Sequence, residues 1–284
     1  MAKIAWLGAG MMGSGFVEAL RRRGDDVVVW NRTPEKALAL ERFGARAVDD
    51  PRDAVRGVDR IHSILSDDAS VDALLDRLDG AISAGIPFID HTTVAPRPTA
   101  ARFERSAQRG VEFLHAPVFM GPQACRESTG LMLCSGPHER LARVESELKK
   151  MTGTLWYVGE RNDKAAALKL LGNEMLISIV AALADGYAMM RGAGIAPPEA
   201  YELFAHFKPV GSIDVRGKWM AEGKFMPPAF ELKMARKDVH LMLETAAAGD
   251  AVLHVLPAIA ARIDELLAAG HGDEDMAVLA LDSA

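Results

Sequence analysis

Apolar positions along the chain follow two regimes. From Lys3 to Val158, short apolar runs alternate with stretches of helical periodicity. The run Lys3–Gly10, which ends in glycines, and the runs Asp26–Trp30, Arg60–Leu65, Phe88–Asp90, Val111–Val118, Leu131–Ser135 and Leu155–Val158 read as buried strands. Between them, Met11–Arg23, Pro34–Phe43, Asp68–Leu78, Thr99–Gln108 and Glu139–Met151 read as helices, the second stopped by Gly44. Such alternation predicts an α/β fold with a doubly wound, mostly parallel sheet. After the hinge 159–163 the pattern changes. Asp163–Arg191 reads as one long helix, apolar all round, and Met175–Ala184 (MLISIVAALA) carries no charge on any face. Pro198–Phe207, Ser212–Glu222, Phe230–Ala248, Leu253–Ala269 and Asp275–Leu281 also favour helix.

A helix without a polar side is expected inside a core. Its uncharged run is shorter than the ~20 residues a bilayer requires, so it reads as a core helix and not a membrane span. Lys169 and Asn173 nevertheless share one face near its start (i, i+4), and burying an unpaired ammonium is costly. Something polar must meet them there. A helical second half too small to enclose such a helix also predicts at least a homodimer, or a homotetramer.

Length and charge refine this picture. At 284 residues the chain suits two domains, 1–161 and 162–284, the second all-α and including the long helix 163–191. With 49% hydrophobic residues it can bury a sizeable core, and a net charge of −6 argues against nucleic acid or an anionic membrane as partner. Arg21, Arg22 and Arg23 before Gly24 read as a helix C-terminus. The two cysteines, Cys125 and Cys134, fit no metal or redox spacing, and Met1-Ala2-Lys3 leads directly into a strand; a reduced cytoplasmic protein is expected. The eight histidines are scattered without ligand spacing, and the acidic segment His271–Asp275 reads as a capped helix start, so no metal is expected.

The chemistry begins at the first strand-to-helix junction. Gly8, Gly10 and Gly13 form G-x-G-x-x-G with Ala9, Met11 and Met12 between them. Gly8 permits the tight turn, Gly10 lets a pyrophosphate approach, and Gly13 lets helix and strand pack closely. This is the signature of a Rossmann-type dinucleotide site, with the helix N-terminus facing the phosphates. The second strand ends in Asn31-Arg32-Thr33, where an NAD-selective site would carry an acid. A guanidinium there, with the Thr33 hydroxyl, suits the 2′-phosphate of NADP(H). Ligands of such sheets sit beyond the carboxyl ends of the strands, which gathers Leu65, Ser66, Thr92, Thr93, Phe119, Met120 and Gly121 about one crevice.

In these motifs the chain resembles the β-hydroxyacid dehydrogenases, which include 3-hydroxyisobutyrate dehydrogenase and the semialdehyde reductases and share the fold of 6-phosphogluconate dehydrogenase. The likeness runs through the glycine fingerprint, Asn31-Arg32-Thr33, Asp90-His-Thr92-Thr93-Val-Ala-Pro96, Ala116-Pro117-Val118, Lys169-Leu-Leu-Gly-Asn173 and Lys237-Asp238. It implies that Lys169 is the general acid/base, that Asn173 positions substrate, and that Lys237 reaches cofactor and substrate. It also implies Thr93 at the cofactor and Thr92 and residues 119–121 at the substrate. Two departures stand out. The family's Ser-Gly-Gly after Ala-Pro-Val is Phe119-Met120-Gly121 here, and its paired asparagines are Asn173-Glu174.

The resemblance therefore implies an NADP(H)-dependent oxidoreductase that interconverts a small carbonyl compound and its alcohol. Physics agrees, because hydride transfer builds charge on oxygen and a desolvated lysine can exchange the required proton. Two alternatives are an imine reductase-like enzyme and a nucleotide-binding module without turnover. Related imine reductases typically lack this lysine, and a pure binder does not need one in an apolar crevice.

Overall fold

The apolar runs of the first half become six parallel strands: β1 (Lys3–Leu7), β2 (Asp26–Trp30), β3 (Arg46–Ala47), β4 (Arg60–Ser63), β5 (Pro87–Asp90) and β6 (Glu112–His115), in the order β3-β2-β1-β4-β5-β6. Both faces are covered. Ile4, Trp6, Val27 and Val29 enter one core, while Ala5, Leu7, Val28 and Phe88 enter the other. Burial on both sides is why these strands read as continuous apolar runs. The computed structural model describes residues 1–282, in two compact units: Met1–Asn173, and Glu174 onward.

Helices α1 (Met11–Arg22), α2 (Pro34–Leu38), α3 (Pro51–Ala54), α4 (Asp68–Arg77) and α5 (Pro96–Gln108) follow β1 to β5 in turn. Strand β3 and helix α3 are too short for a periodic signal, and the sequence pattern did not separate them. The expected strand Val111–Val118 is two strands. Its continuation β7 (Val118–Phe119) leaves the main sheet and pairs antiparallel with β8 (Leu131–Cys134), which lies parallel to β9 (Thr154–Tyr157). The break falls at Ala116-Pro117, where proline has no N–H to continue a ladder. Helix α6 (Pro122–Glu127) fills the gap before β8, and α7 (His138–Lys149) joins β8 to β9.

The parallel register gathers histidines that are far apart in sequence. Ser63, Asp90 and His115 stand side by side on β4, β5 and β6. Arg60 Nε donates to His62 Nε2 (3.1 Å), which leaves the His62 proton on Nδ1. That nitrogen therefore donates to His91 Nε2 (2.9 Å), and His91 Nδ1 donates to the Ala116 carbonyl (2.7 Å). His115 Nε2 donates to the Thr92 carbonyl (3.0 Å). The three rings are buried, and His62 and His91 stack with Trp6. The pattern fixes His62 and His91 as neutral imidazoles. Desolvation holds His62 well below its ordinary pKa, takes His91 to about 4, and lowers His115.

The second helical regime opens with α8 (Lys164–Gly192), 29 residues long. Pro198–Phe207 breaks into α9 (Pro197–Tyr201) and α10 (Leu203–His206), and Ser212–Glu222 becomes a π-helical turn (Ile213–Gly217) followed by α11 (Lys218–Glu222). Helices α12 (Leu232–Ala248) and α13 (Leu256–Ala268) pack around Leu232, Val239, Ile263 and Leu266, and Met276–Ala280 forms a final 3-10 turn. Buried Asp275 caps that turn at Ala277 N (2.9 Å), accepts from Ala229 N and Phe230 N, and binds Arg216, which agrees with the capping reading of this acidic segment. Asp185 of α8 accepts from the N–H groups of His254, Val255 and Leu256, which ties the helix into the second unit.

One expectation is corrected. The apolar middle of α8 is not buried within the chain: Leu176, Ile177 and Val180 are 58%, 70% and 67% exposed. By length and composition the helix could also cross a membrane, whereas the uncharged run alone looked too short.

The neutral histidines make stability depend on pH. In the unfolded chain they titrate near 6.5. Below that value the unfolded state binds protons that the buried rings refuse, so stability falls with pH by about 1.4 kcal/mol per pH unit for each ring kept neutral. For His91 the loss levels off near pH 4. Urea midpoints should be flat from pH 8 to 7 and drop clearly between 6.5 and 5. A midpoint unchanged down to pH 5 contradicts this account.

Candidate active site

The glycine turn builds one wall of a cleft. Gly8 has φ +115°, and a Cβ there would lie 2.2 Å from the Ile64 carbonyl oxygen. A Cβ on Gly13 would lie 2.1 Å from the Gly8 oxygen, so α1 rests directly on the turn that precedes it. At Gly10 a Cβ would meet nothing, and the backbone there faces open space. Gly10 caps α1 without a side-chain acceptor, and no acid stands in the first turn, so the leading N–H groups are left for an anion. Asn31 braces the arrangement: its Oδ1 accepts from Ala9 N and its Nδ2 donates to the Thr33 carbonyl, both at 2.9 Å.

The cleft has a volume of about 520 Å³ and is lined by Gly8, Gly10, Met11, Met12, Gly13, Asn31, Arg32, Thr33, Leu65 and Ser66, all expected from the sequence. Trp30, Lys36, Ile64, Ser70, Ala73, Leu74 and Arg77 also line it. Arg32, Lys36 and Arg77 bring three cations to the cleft, and no carboxylate is among the lining residues. Lys36 lies four residues beyond Arg32, a spacing that could have revealed it. Arg77 had no local signal. It reaches the cleft from the end of α4, 5.7 Å from the Trp30 ring centroid. Glycine turn, free helix N-terminus and cationic cleft together fit a dinucleotide.

Ala9, Thr92 and Thr93 of the first unit do not line the cleft. Ala9 is buried behind the turn. Thr92, expected at the substrate, is fully buried: its hydroxyl donates to Asp90 Oδ1 (2.6 Å) and accepts from Leu65 N (2.9 Å). A hydroxyl so engaged holds the Leu65–Ser66 edge of the cleft and has no bond left to donate. Half-buried Thr93 does not line the cleft. Lys237 stands exposed on α12 of the second unit, 3.0 Å from Asp238.

The remaining group lies at the start of α8. Ser135 Oγ donates to the Asn162 carbonyl (3.0 Å) and accepts from Ala165 N (3.2 Å), which anchors the helix to the end of β8. One turn on, Lys169 Nζ donates to Asn173 Oδ1 (2.7 Å) and sits 4.0 Å from the centroid of the Phe119 ring. Lys169 is only 7% exposed, and desolvation lowers its pKa from the usual lysine range. Phe119, expected to face substrate, is thus the neighbour of the lysine. Met120 packs toward the main core of the first unit, and Gly121 caps α6. None of Lys169, Asn173, Phe119, Met120 and Gly121 lines the nucleotide cleft itself.

Fold and cleft define a dinucleotide-binding protein with a helical second unit, and comparison with known proteins specifies it. Residues 3–159 match the NAD binding domain of 6-phosphogluconate dehydrogenase, and residues 164–281 match the NAD-binding domain of NADP-dependent 3-hydroxyisobutyrate dehydrogenase. The chain is 29% identical over 281 residues to the uncharacterized oxidoreductase YfjR of Bacillus subtilis (strain 168), covering 98% of each. It is 29% identical over 288 residues to the chloroplastic glyoxylate/succinic semialdehyde reductase 2 of Arabidopsis thaliana, covering 97% of this chain and 78% of that one. It is 30% identical over 264 residues to the cytokine-like nuclear factor N-PAC of Homo sapiens, covering 91% of this chain but 47% of that protein. An imine reductase from Myxococcus stipitatus in complex with NADP+ shares the fold, with a TM-score of 0.90 at 23% identity and 98% of each chain covered. The chain belongs to the β-hydroxyacid dehydrogenase family of nicotinamide-dependent oxidoreductases.

Proposed function

We propose that the protein is an NADPH-dependent reductase of a small carbonyl compound, reversible as an alcohol dehydrogenase, with Lys169 as general acid/base. The observation that carries this reading is Lys169 itself: a nearly buried ammonium on the family's K-x-x-x-N pattern, held by Asn173. When bound, the nicotinamide cofactor supplies the hydride. Negative charge then grows on the substrate oxygen, and Lys169 gives that oxygen a proton. Desolvation makes the proton easier to release than that of a surface lysine. In the reverse direction neutral Lys169 takes the alcohol proton, and Asn173 keeps Nζ in place for both. A cationic iminium would meet the like charge of this ammonium, which disfavours imine reduction.

NADPH is favoured over NADH because the cleft offers Arg32, Lys36 and Arg77 and no carboxylate among its lining residues. The 2′-phosphate of NADPH suits the first two. Substrate preference follows from Phe119. A serine hydroxyl and bare glycine would serve a substrate carboxylate, whereas an aromatic ring desolvates it. A less charged carbonyl compound fits better than a short acid such as glyoxylate. We further propose that a second copy of the chain covers Leu176, Ile177, Ile179 and Val180 of α8, which gives at least a dimer.

Three outcomes test these readings. NADPH should bind more tightly than NADH, and Arg32→Asp should narrow or reverse the preference by about 1.5–3 kcal/mol, one to two orders of magnitude; equal affinities in the wild type would sink it. NADPH oxidation should be measured against apolar aldehydes, ketones, semialdehyde acids and cyclic imines. The highest kcat/KM is expected for an apolar carbonyl compound, with Phe119→Ser/Met120→Gly moving preference toward the acids. A wild type that prefers glyoxylate or the imine overturns the substrate assignment. Light scattering at micromolar concentration should show a dimer or larger, and a monomer would refute the covered helix.

A further inference from the structure

Phe119 sits where the protein has made room for it. Its backbone pairs with Leu131 across β7 and β8, and its ring joins Leu131, Leu133, Val158, Ala165 and Leu168 in a small apolar cluster beneath the start of α8. At Gly172 a Cβ would lie 2.3 Å from the ring's Cζ and 2.5 Å from Cε1. Ring and bare helix backbone therefore interlock, and any side chain at 172 would displace the ring.

The ring face meets the ammonium of Lys169. That group has three N–H donors, and Asn173 Oδ1 accepts one of them. No carboxylate of the first unit pairs with it, and desolvation is the cause that lowers its pKa. The cation lies 4.0 Å from the Phe119 centroid, well within the ~6 Å over which a ring quadrupole attracts a charge. We propose that Phe119 is a positioning residue for Lys169, its ring seated against Gly172 so that the ring face keeps the ammonium charged and aimed in an otherwise desolvating site. This rests on the reading of Lys169 as proton donor. Phe119 then has two consequences from one substitution: it withdraws a hydroxyl from substrate, and it offsets part of the burial that would strip the lysine of its proton. Burial and ring act on Lys169 in opposite directions, so the sign of the change on removing the ring separates a cation–π platform from a mere apolar wall.

The test is the Lys169 pKa in the free protein, read by trace acetylation across pH with mass-spectrometric quantification of the Lys169 peptide. Phe119→Leu keeps apolar bulk but loses the quadrupole, and should lower the Lys169 pKa by about half to one unit. The alkaline limb of the kcat profile should move with it. Gly172→Ala displaces the ring and should lower the pKa like Phe119→Leu, and the double variant should do no more than either alone. Should Phe119→Leu fail to fold, Gly172→Ala carries the same test. An unchanged pKa in Phe119→Leu and Gly172→Ala overturns the proposal, and a raised one shows that the ring only desolvates. The acetylation readout is independent of turnover, so it stands even if Lys169 proves not to be the proton donor.

Discussion

Asp90 Oδ1, fully buried at the end of β5, accepts from Ser63 Oγ, Thr92 N and Thr92 Oγ1. The Thr92 hydroxyl in turn accepts from Leu65 N, so one oxygen joins the ends of two strands to the loop that forms the edge of the nucleotide cleft. The next layer is the one-way chain from Arg60 through His62 and His91 to the Ala116 carbonyl, which crosses β4, β5 and the end of β6. Three donors converge on Oδ1 while Oδ2 has none, so the buried carboxylate depends on the bonds of that one oxygen, and buried imidazoles avoid the same cost by staying neutral. These bonds fix the register of β4, β5 and β6, and through Leu65 they set where the β4 loop of the cleft begins.

On this frame the chain reverses its own electrostatics locally. The protein as a whole carries −6, yet the cleft is lined by three cations and by no carboxylate. Residues separated in sequence are brought together because a parallel sheet presents all its carboxyl ends on one edge. At the start of α8 the chain uses another device, an isolated ammonium held by one amide oxygen and one ring face. The first arrangement suits anionic cofactor groups, and the second suits a proton that must move. Neither needs a metal ligand set.

The features legible in the sequence were those with a fixed local period. Gly8, Gly10 and Gly13 could be read because their spacing at a strand-to-helix junction is a local pattern, although the contact that demands Gly8, the Ile64 carbonyl, is remote in sequence. Lys169 and Asn173 could be paired because i, i+4 spacing is a property of any helix. What remained hidden depends on register between distant segments. His62, His91 and His115 looked scattered because the parallel pairing that stacks them leaves no trace in spacing. Arg77 reaches the cleft only once α4 is packed. Thr92 sits in a motif associated with substrate, yet its hydroxyl completes the Asp90 cluster, which only burial reveals. Pro117 splits one apolar run between two sheets, and the apolar middle of α8 says nothing about whether its cover comes from the same chain.

If Lys169 moves the proton while other residues hold the cofactor, NADPH affinity and single-turnover rate must separate in Lys169→Ala, and both should be measured in that variant. The dissociation constant should stay within about twofold of wild type, with turnover of the best carbonyl substrate lower by ~10²–10⁴, the usual worth of a positioned acid. Retention of most of the wild-type rate would contradict that role for Lys169.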